Sequence, residues 1–312
     1  AASLAVNGKT VKGFNPDVEG YSYRLKNTAP VPQVSAVASG NNVTIDIEQA
    51  ESVPGTAIIT LTDNITVEKS FYNVNFGTKA VKDEFKATSL GSQWQWVRED
   101  PANWSLSEKS GHLVITAEEG DLVSENNNAK NILLQDANTD WIIDSKIVFS
   151  RRPAGFSENA GLLAYQDDDN FVKVVYTAGG FRRRGMGGFG GSSGAQAGMV
   201  EMIVEKDGYE SSEATLDLEG IIGKNNTLII RFEKTGNLYT ASCSSDGRNF
   251  SVIGTAEIML KDVKAGMITC NGVQPTGMRG FPGMFGQQGQ QSQQVPFEAA
   301  YDYFHIKSKG LK

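Results

Sequence analysis

The chain is built from short runs in which hydrophobic and polar residues alternate. In the run NNVTIDIEQ, Val43, Ile45 and Ile47 fall on one face of an extended strand, and the residues between them are polar. Similar runs recur along the chain and are separated by Gly, Asn, Asp and Pro, the residues that favour turns. No long segment has the 3.6-residue period of an amphipathic helix. The pattern therefore predicts an all-β protein.

The spacing of these runs predicts two domains. Residues 1–80 hold about six short strands, which fits a small immunoglobulin-like β-sandwich without a catalytic cluster, and we interpret this domain as a spacer. Residues 81–312 hold at least eleven runs, too many for an immunoglobulin domain, and fit a two-sheet jelly-roll β-sandwich of the concanavalin A type. Two glycine-rich stretches, residues 179–198 and 277–294, are predicted to be long loops between strands. The eleven runs are HLVITA, NILLQ, WIIDSKIVF, AGLLAYQ, NFVKVVYT, MVEMIVEK, TLIIRFEK, LYTASCSS, FSVIG, AGMITC and FEAAYDYFHIK.

Composition and charge argue against several classes of function. The 312 residues are 39% hydrophobic and 21% charged, as in ordinary globular proteins. A net charge of -7 argues against a nucleic-acid partner, because phosphate binding requires clustered Lys and Arg. No apolar run approaches the roughly 20 residues of a membrane-spanning helix, so no membrane partner is expected. No signal peptide opens the chain, and because it begins with Ala1 rather than Met we expect it to be a piece of a longer protein.

The two cysteines, Cys243 and Cys270, both fall on predicted strands and lack the spacing of a zinc site. In an oxidising compartment they could form a disulfide if their strands lie close together. The alternative is a pair of buried free thiols. The residues alone do not decide between these two states.

Three of the four tryptophans lie within residues 91–106, GSQWQWVREDPANWSL. Trp94 and Trp96 are two positions apart, so in a strand both rings leave the same face. Pro101 then interrupts the strand before Trp104. Such a cluster forms either the anchor of a sheet core or a platform on which a flat ligand stacks.

Sugars are ligands of this kind, because their rings expose flat C–H patches that stack on aromatic faces and hydroxyl groups that bind polar side chains. The alternative to sugar binding is that Trp96 and Tyr176 lie in the hydrophobic core. Trp94 is expected to lie in the same environment as Trp96, because both leave the same face of the strand. Trp104 is the best candidate for partial exposure. The candidate carbohydrate-binding residues are Trp94, Trp96, Trp104, Tyr165, Phe171, Tyr176, Phe181 and Arg182.

Support for catalytic chemistry is weak. Glu205, Asp207 and Glu210 match E-x-D-x-x-E, a spacing that some jelly-roll glucanases use on a strand. The intervening Lys-Asp-Gly is a turn signal, which would break the strand on which the acids must alternate. His112 and His305, the only histidines, neighbour no plausible nucleophile. We therefore predict that the protein is not an enzyme in its own right.

A structural calcium ion is a weaker expectation. Jelly-roll carbohydrate modules can hold one through carboxylates and backbone carbonyls. The candidate ligands are Asp83, Glu84 and Asp302, near the predicted ends of the second domain, or residues 167–169 in the DDDN turn. The alternative is that these acids are solvated.

The tryptophan segment also carries a family resemblance. QWQW at 93–96, the proline that follows it, WSL at 104–106, GHLVITA and AKNILLQ resemble the C-terminal β-sandwich module of family-43 glycoside hydrolases. AGLLAYQDDDNFVKVVY at 160–176 and the closing AAYDYFHI extend the resemblance over roughly residues 83–308. The sequence departs from the family pattern at Arg98, within a run that is commonly Asn-His-Asn-like, and at Lys130, where arginine is usual.

The resemblance implies a concanavalin A-like module that sits beside a catalytic propeller, in xylosidases and arabinofuranosidases that act on xylan. It also implies that residues 1–80 are a spacer of a secreted multimodular enzyme. We therefore predict a noncatalytic carbohydrate-binding module for xylan or a related plant cell-wall polysaccharide, secreted or at a bacterial cell surface. Its partners would be the polysaccharide and the catalytic domain of the parent enzyme. The alternatives are a structural module that packs on the propeller, and a jelly-roll hydrolase.

Overall fold

The protein is almost entirely β-structure. The computed structural model describes residues 1–153, 158–178, 198–218, 221–222, 225–272 and 296–309. Over these ranges the chain forms 23 strands and a single-turn 3-10 helix, Pro101–Asn103, with no α-helix. The predicted all-β class is confirmed. In the same ranges, no helix is long and apolar enough to cross a membrane.

Residues 3–77 form two small sheets around a shared hydrophobic core. The predicted alternation places Val43, Ile45 and Ile47 against this core. The sheet orders are β2-β1-β4 and β3-β7-β6-β5, with β3 and β7 parallel. The strands are β1 Ser3–Val6, β2 Lys9–Thr10, β3 Gly20–Arg24, β4 Val34–Val37, β5 Val43–Glu48, β6 Gly55–Asp63 and β7 Lys69–Gly77.

The remainder of the chain forms two larger sheets of seven strands each. The strands are β8 Gln95–Val97, β9 Trp104–Ser105, β10 Leu113–Thr116, β11 Leu122–Val123, β12 Asn126–Asn127, β13 Ile132–Asp136, β14 Trp141–Phe149, β15 Asn159–Asp167, β16 Asn170–Thr177, β17 Met199–Lys206, β18 Tyr209–Asp217, β19 Thr227–Thr235, β20 Leu238–Ser244, β21 Ser251–Glu257, β22 Lys264–Cys270 and β23 Glu298–Ser308. We call β18-β17-β16-β15-β22-β13-β8 the front sheet and β21-β20-β19-β14-β23-β10-β9 the back sheet. β11 and β12 pair only with each other.

The front and back sheets pack face to face over one continuous core. On β16 the residues Val172, Val174 and Tyr176 point into this core, as the period of two predicts for a strand. Ile143 and Ile147 of β14 meet them from the back sheet. The two sheets therefore form a β-sandwich, and the predicted two-layer architecture is confirmed.

A loop covers the outer face of the front sheet. Residues 119–131, here called the covering segment, include the β11–β12 pair. Leu122 and Ala129 of this segment pack in a second hydrophobic cluster with front-sheet residues, among them Phe171 and Val175. Phe171 is 0% and Val175 1% exposed, although both point away from the sandwich core. The central strands of the front sheet are thus buried on both faces.

Polar contacts join the N-terminal sheets to the sandwich. The Asn138 side chain donates to the carbonyl of Gly55 at 2.8 Å and accepts from the amide of Val263 at 3.0 Å. Nearby, the Ser22 hydroxyl donates to Asp140 at 2.8 Å. Lys234 is fully buried beside this junction; its Nζ lies 3.9 Å from Asp140 and has no hydrogen-bond partner among the described residues.

The two cysteines are buried free thiols on opposite sheets. Cys243 lies on β20 of the back sheet, and burial raises the pKa of its thiol to about 11. Cys270 lies on β22 of the front sheet, where burial and the nearby Asp121 charge raise its pKa as well. Of the two alternatives left by the sequence, the structure contains the free thiols.

Candidate functional site

Trp94, a predicted sugar-stacking residue, lies in the sandwich core. Its side chain is 8% exposed and packs between Phe85, at 6.1 Å, and Phe304, at 5.2 Å between ring centroids. Its indole Nε1 donates to Asp83 Oδ2 at 2.8 Å. This placement corrects the expectation of a ligand-facing ring, because neither face of the indole is open to solvent.

Phe171 and Tyr176 are also buried, each on a different face of β16. Tyr176 is 0% exposed and packs between the sheets, 4.7 Å from Phe149, and this burial raises the pKa of its hydroxyl to about 12. Phe171 is covered by the segment that crosses the front sheet. Both residues therefore serve packing, and neither ring presents a face to a ligand.

Trp96 and Trp104 are the two predicted residues that the fold brings together at the surface. Trp96 lies on β8, the edge strand of the front sheet, and Trp104 on β9, the edge strand of the back sheet. Their half-buried rings lie 5.0 Å apart at an angle of 37° and close this edge of the sandwich. The Trp104 indole donates to Glu99 at 3.1 Å, so the pair has a polar rim.

Tyr165 is half-buried and held by a charged clamp. Its hydroxyl donates to Asp168 at 2.9 Å, and Arg98 binds the same carboxylate through two hydrogen bonds of 2.7 and 2.9 Å. Burial and the Asp168 charge raise the pKa of Tyr165. The other predicted residues, Phe181 and Arg182, lie outside the described residues.

A buried ion pair anchors the covering segment to the centre of the front sheet. Lys173 Nζ lies 3.0 Å from Asp121 Oδ1 and donates to the carbonyl of Leu122 at 2.6 Å. Burial by itself would raise the pKa of Asp121, but the Lys173 charge and several hydrogen bonds outweigh it and hold that pKa below its usual value. Asp121 therefore stays ionised beneath the protein surface.

Glu205 forms a second anchor for the same segment. Its Oε2 accepts a hydrogen bond of 2.6 Å from the amide of Ser124, while its buried Oε1 has no partner among the described residues. Burial raises the pKa of this carboxyl group. Asp207 sits in the turn between β17 and β18, as predicted, and Glu205 faces Glu210 across the hairpin. The three acids therefore do not alternate along one strand.

The acids considered for calcium are engaged by separate donors. Asp83 accepts from the amide of Phe85 at 2.8 Å as well as from Trp94, Glu84 pairs with His305 at 2.8 Å, and Asp302 pairs with Lys146 at 2.7 Å. In the DDDN turn, Asp168 and Asp169 accept from Arg98 and Asn127. Across the described ranges, no three His, Cys, Asp or Glu side chains come together as metal ligands.

Comparison with known protein families identifies the sandwich. Residues 82–307 match the family model of the β-xylosidase C-terminal concanavalin A-like domain. The chain belongs to this family. The model covers both seven-stranded sheets and the covering segment, and it begins after the two N-terminal sheets.

Solved structures of family-43 proteins share this fold. The GH43 protein BlXynB of Bacillus licheniformis superposes with a TM-score of 0.54 at 15% identity, over 88% of this chain and 56% of that one. A xylan β-1,4-xylosidase of Bacillus halodurans C-125 gives a TM-score of 0.53 at 15% identity, over 81% and 51%. The chain thus spans about half the length of these proteins. A comparison with curated protein sequences found no match.

Both departures from the family pattern support the covering segment. Besides binding Asp168, Arg98 donates from Nε to the carbonyl of Ala129 at 2.6 Å. Lys130 pairs with Glu118 at 2.8 Å and with Asp100 at 3.3 Å. Sequence reasoning missed this role of Arg98 and also Lys173. The one available signal was the single lysine inside the apolar run NFVKVVYT.

Proposed function

We propose that the chain is a noncatalytic accessory module of a secreted or cell-surface glycoside hydrolase of family 43, acting on xylan or a related polysaccharide. The family match and the family-43 fold support this proposal. The observation that carries the noncatalytic part is the covering segment, which packs over the outer face of the front sheet and buries Glu205.

A glycosidase needs two carboxylates, about 5 to 10 Å apart, that flank an open cleft for the sugar. Glu205, near the end of β17, faces outward from the front sheet, but it is 0% exposed and accepts a hydrogen bond from the amide of Ser124. A sugar could reach it only after the covering segment had left. The buried Lys173–Asp121 pair opposes such a movement, because the segment could leave only by breaking this ion pair and the hydrogen bond from Lys173 to the carbonyl of Leu122.

In the parent enzyme, the sandwich would stand beside the catalytic propeller and support it, and the two N-terminal sheets would act as a spacer. This role requires a stable scaffold rather than a reactive centre. The doubly buried central strands of the front sheet supply such a scaffold, since a strand covered on both faces must lose contacts on both sides before it can unfold.

The experiment that tests the noncatalytic part is the release of reducing sugars from xylans and β-glucans. We expect no release above buffer from the wild-type chain or from Glu205→Gln. Release by the wild type that disappears in Glu205→Gln would instead establish a jelly-roll hydrolase. Asp207→Asn is the matched control, because this turn residue lies on the same hairpin and is exposed.

Carbohydrate binding is the second candidate function, and the Trp96–Trp104 pair is the observation that favours it. The two half-exposed indoles at the sandwich edge could stack on a sugar ring. Affinity electrophoresis on xylan should then show retardation of the wild type that is lost in Trp104→Ala. It should persist in Tyr209→Ala, which removes an 82%-exposed aromatic ring from another edge.

A further inference from the structure

Three cationic side chains line an open cleft next to the N-terminal sheets. The strands β3 and β7 are parallel neighbours, and Arg24 pairs with Gly77 at the end where both strands finish. Lys26 and Lys79 each follow this last pair by two residues. Parallel strands leave a sheet at the same end, so the fold brings together three cations that come from two separate parts of the chain.

Backbone hydrogen bonds fix the walls of this cleft. The amide of Leu25 donates to the carbonyl of Gly77 at 2.7 Å, next to the last strand pair. The amide of Ala29 donates to the carbonyl of Lys26 at 2.9 Å and closes a turn that contains Asn27. The cleft has a volume of about 580 Å³, within the range of about 300–1,000 Å³ that is usual for small-ligand sites. We call it the basic cleft, and its lining residues are Arg24, Leu25, Lys26, Asn27 and Lys79.

The cations of the basic cleft carry charge that no acid balances directly. Among the residues that the structure describes, the side chains of Arg24, Lys26 and Lys79 form no ion pair and no hydrogen bond. The nearby Lys82, by contrast, pairs with Glu84 at 3.4 Å. The net charge of the whole chain is -7, so this cleft stands out as a local positive region. A concave surface lined by charges of one sign attracts ligands of the opposite sign.

We propose that the basic cleft binds an anionic ligand that carries at least two oxyanion groups, either carboxylates or phosphates. The planar guanidinium of Arg24 can bind one oxyanion through two hydrogen bonds, and the two lysines supply point charges for a second. The Asn27 amide adds an uncharged donor. A neutral sugar would leave the three charges unbalanced. The site goes beyond the accessory role proposed above, because every lining residue precedes the family-matched residues 82–307.

Isothermal titration of the full chain at low salt tests the proposal with two probes. Inorganic pyrophosphate carries phosphates, and trigalacturonic acid carries carboxylates. We expect at least one probe to bind, and its affinity to fall about tenfold in Arg24→Gln and in the double variant Lys26→Gln/Lys79→Gln. Lys69→Gln is the matched control, because Lys69 is an exposed lysine at the opposite end of β7, and it should leave the affinity unchanged. Added salt should weaken the binding, because it screens exposed charges.

The choice of probe identifies the source of the oxyanion. Binding of pyrophosphate alone would support a phosphate-bearing ligand, and binding of trigalacturonic acid alone would support an acidic glycan. Binding of neither probe would overturn the proposal. An affinity that fell as much in Lys69→Gln as in Arg24→Gln would overturn it as well, since the attraction would then belong to the surface in general.

Chemical acetylation followed by mass spectrometry tests the site on the wild-type protein, without any variant. A bound probe should protect Lys26 and Lys79 from the acetylating reagent and leave Lys69 as reactive as in the free protein. Equal acetylation of Lys26 and Lys79 with and without a saturating probe would overturn the proposal. The basic cleft lies outside the sandwich, so none of these results bears on the noncatalytic role, which the release of reducing sugars tests separately.

Discussion

Replacing Lys173 by methionine tests whether the covering segment is held by a buried ion pair. The Lys173 side chain is 2% and that of Asp121 11% exposed, so the substitution leaves the carboxylate buried without its cation. Removing one member of such a pair typically costs about 3–5 kcal/mol. We expect the lower end, about 3 kcal/mol, because Asp121 keeps a hydrogen bond of 2.8 Å from the amide of Leu122.

Urea unfolding followed by tryptophan fluorescence measures this loss. Lys82→Met is the matched control, because Lys82 pairs with Glu84 at the surface, where the side chains are 68% and 37% exposed. That variant should stay within about 0.5 kcal/mol of the wild type. If Lys173→Met were as stable as Lys82→Met, the ion pair would not hold the segment and the reasoning would be refuted.

The double variant Lys173→Met/Asp121→Leu tests whether the loss of stability in Lys173→Met comes from the carboxylate that is left without its cation. Removing both charges leaves no unpaired charge, so part of the lost stability should return; the remaining loss reflects the amide and carbonyl of Leu122, which lose their bonds to the two side chains. The pH dependence should change as well. The pKa of Asp121 is lower in the folded than in the unfolded protein, so the wild type loses this contribution as the pH falls below about 4 and through the folded pKa. The double variant should lack that part of the acid sensitivity.

Three further substitutions test other parts of the structure. Trp94→Ala should lower the free energy of unfolding in urea by about 3 kcal/mol, because a buried indole and its hydrogen bond to Asp83 are lost. A decrease of less than about 1 kcal/mol would contradict the core position of Trp94. Arg98→Lys keeps the charge but loses the bidentate contact with Asp168, so it should lower the free energy of unfolding by about 1–2 kcal/mol. An unchanged free energy of unfolding would show that this contact does not stabilise the fold. Burial lowers the pKa of Lys234 to about 8, below its unfolded value, so the wild type should gain stability between pH 8 and about 10.5. The stability of Lys234→Met should not rise over this pH range. If the stability of both proteins depended on pH in the same way, Lys234 would have to be solvated in the folded protein.

Strands with one face in the core were predictable from sequence. β14, Trp141–Phe149, coincides with the run WIIDSKIVF, because its alternating burial leaves a period of two in the residues. β16, Asn170–Thr177, is buried on both faces and coincides with NFVKVVYT because the valines and aromatic residues of that run favour strands. β18, Tyr209–Asp217, was missed because it is an edge strand whose residues YESSEATLD are largely exposed. β11 and β12 have two residues each, too few to show any period.

The placement of the candidate site residues was less predictable, for a physical reason. A period of two separates the faces of a strand but does not say what covers each face. β16 is buried on both faces, so Phe171 lies under a loop while Val172 lies in the core. The clamp between Arg98 and Asp168 joins positions 70 residues apart, and no local pattern signals such a contact.

Hydrogen exchange at the amides of Leu122 and Ser124 tests most directly whether the covering segment occupies the front sheet. These amides donate to Asp121 and to the buried Glu205. If the segment is docked as described, both should exchange several orders of magnitude more slowly than in an unstructured peptide, in the absence of any sugar. Exchange at the rate of a free loop would mean that the sheet face is open, and the case against a catalytic cleft would then fail.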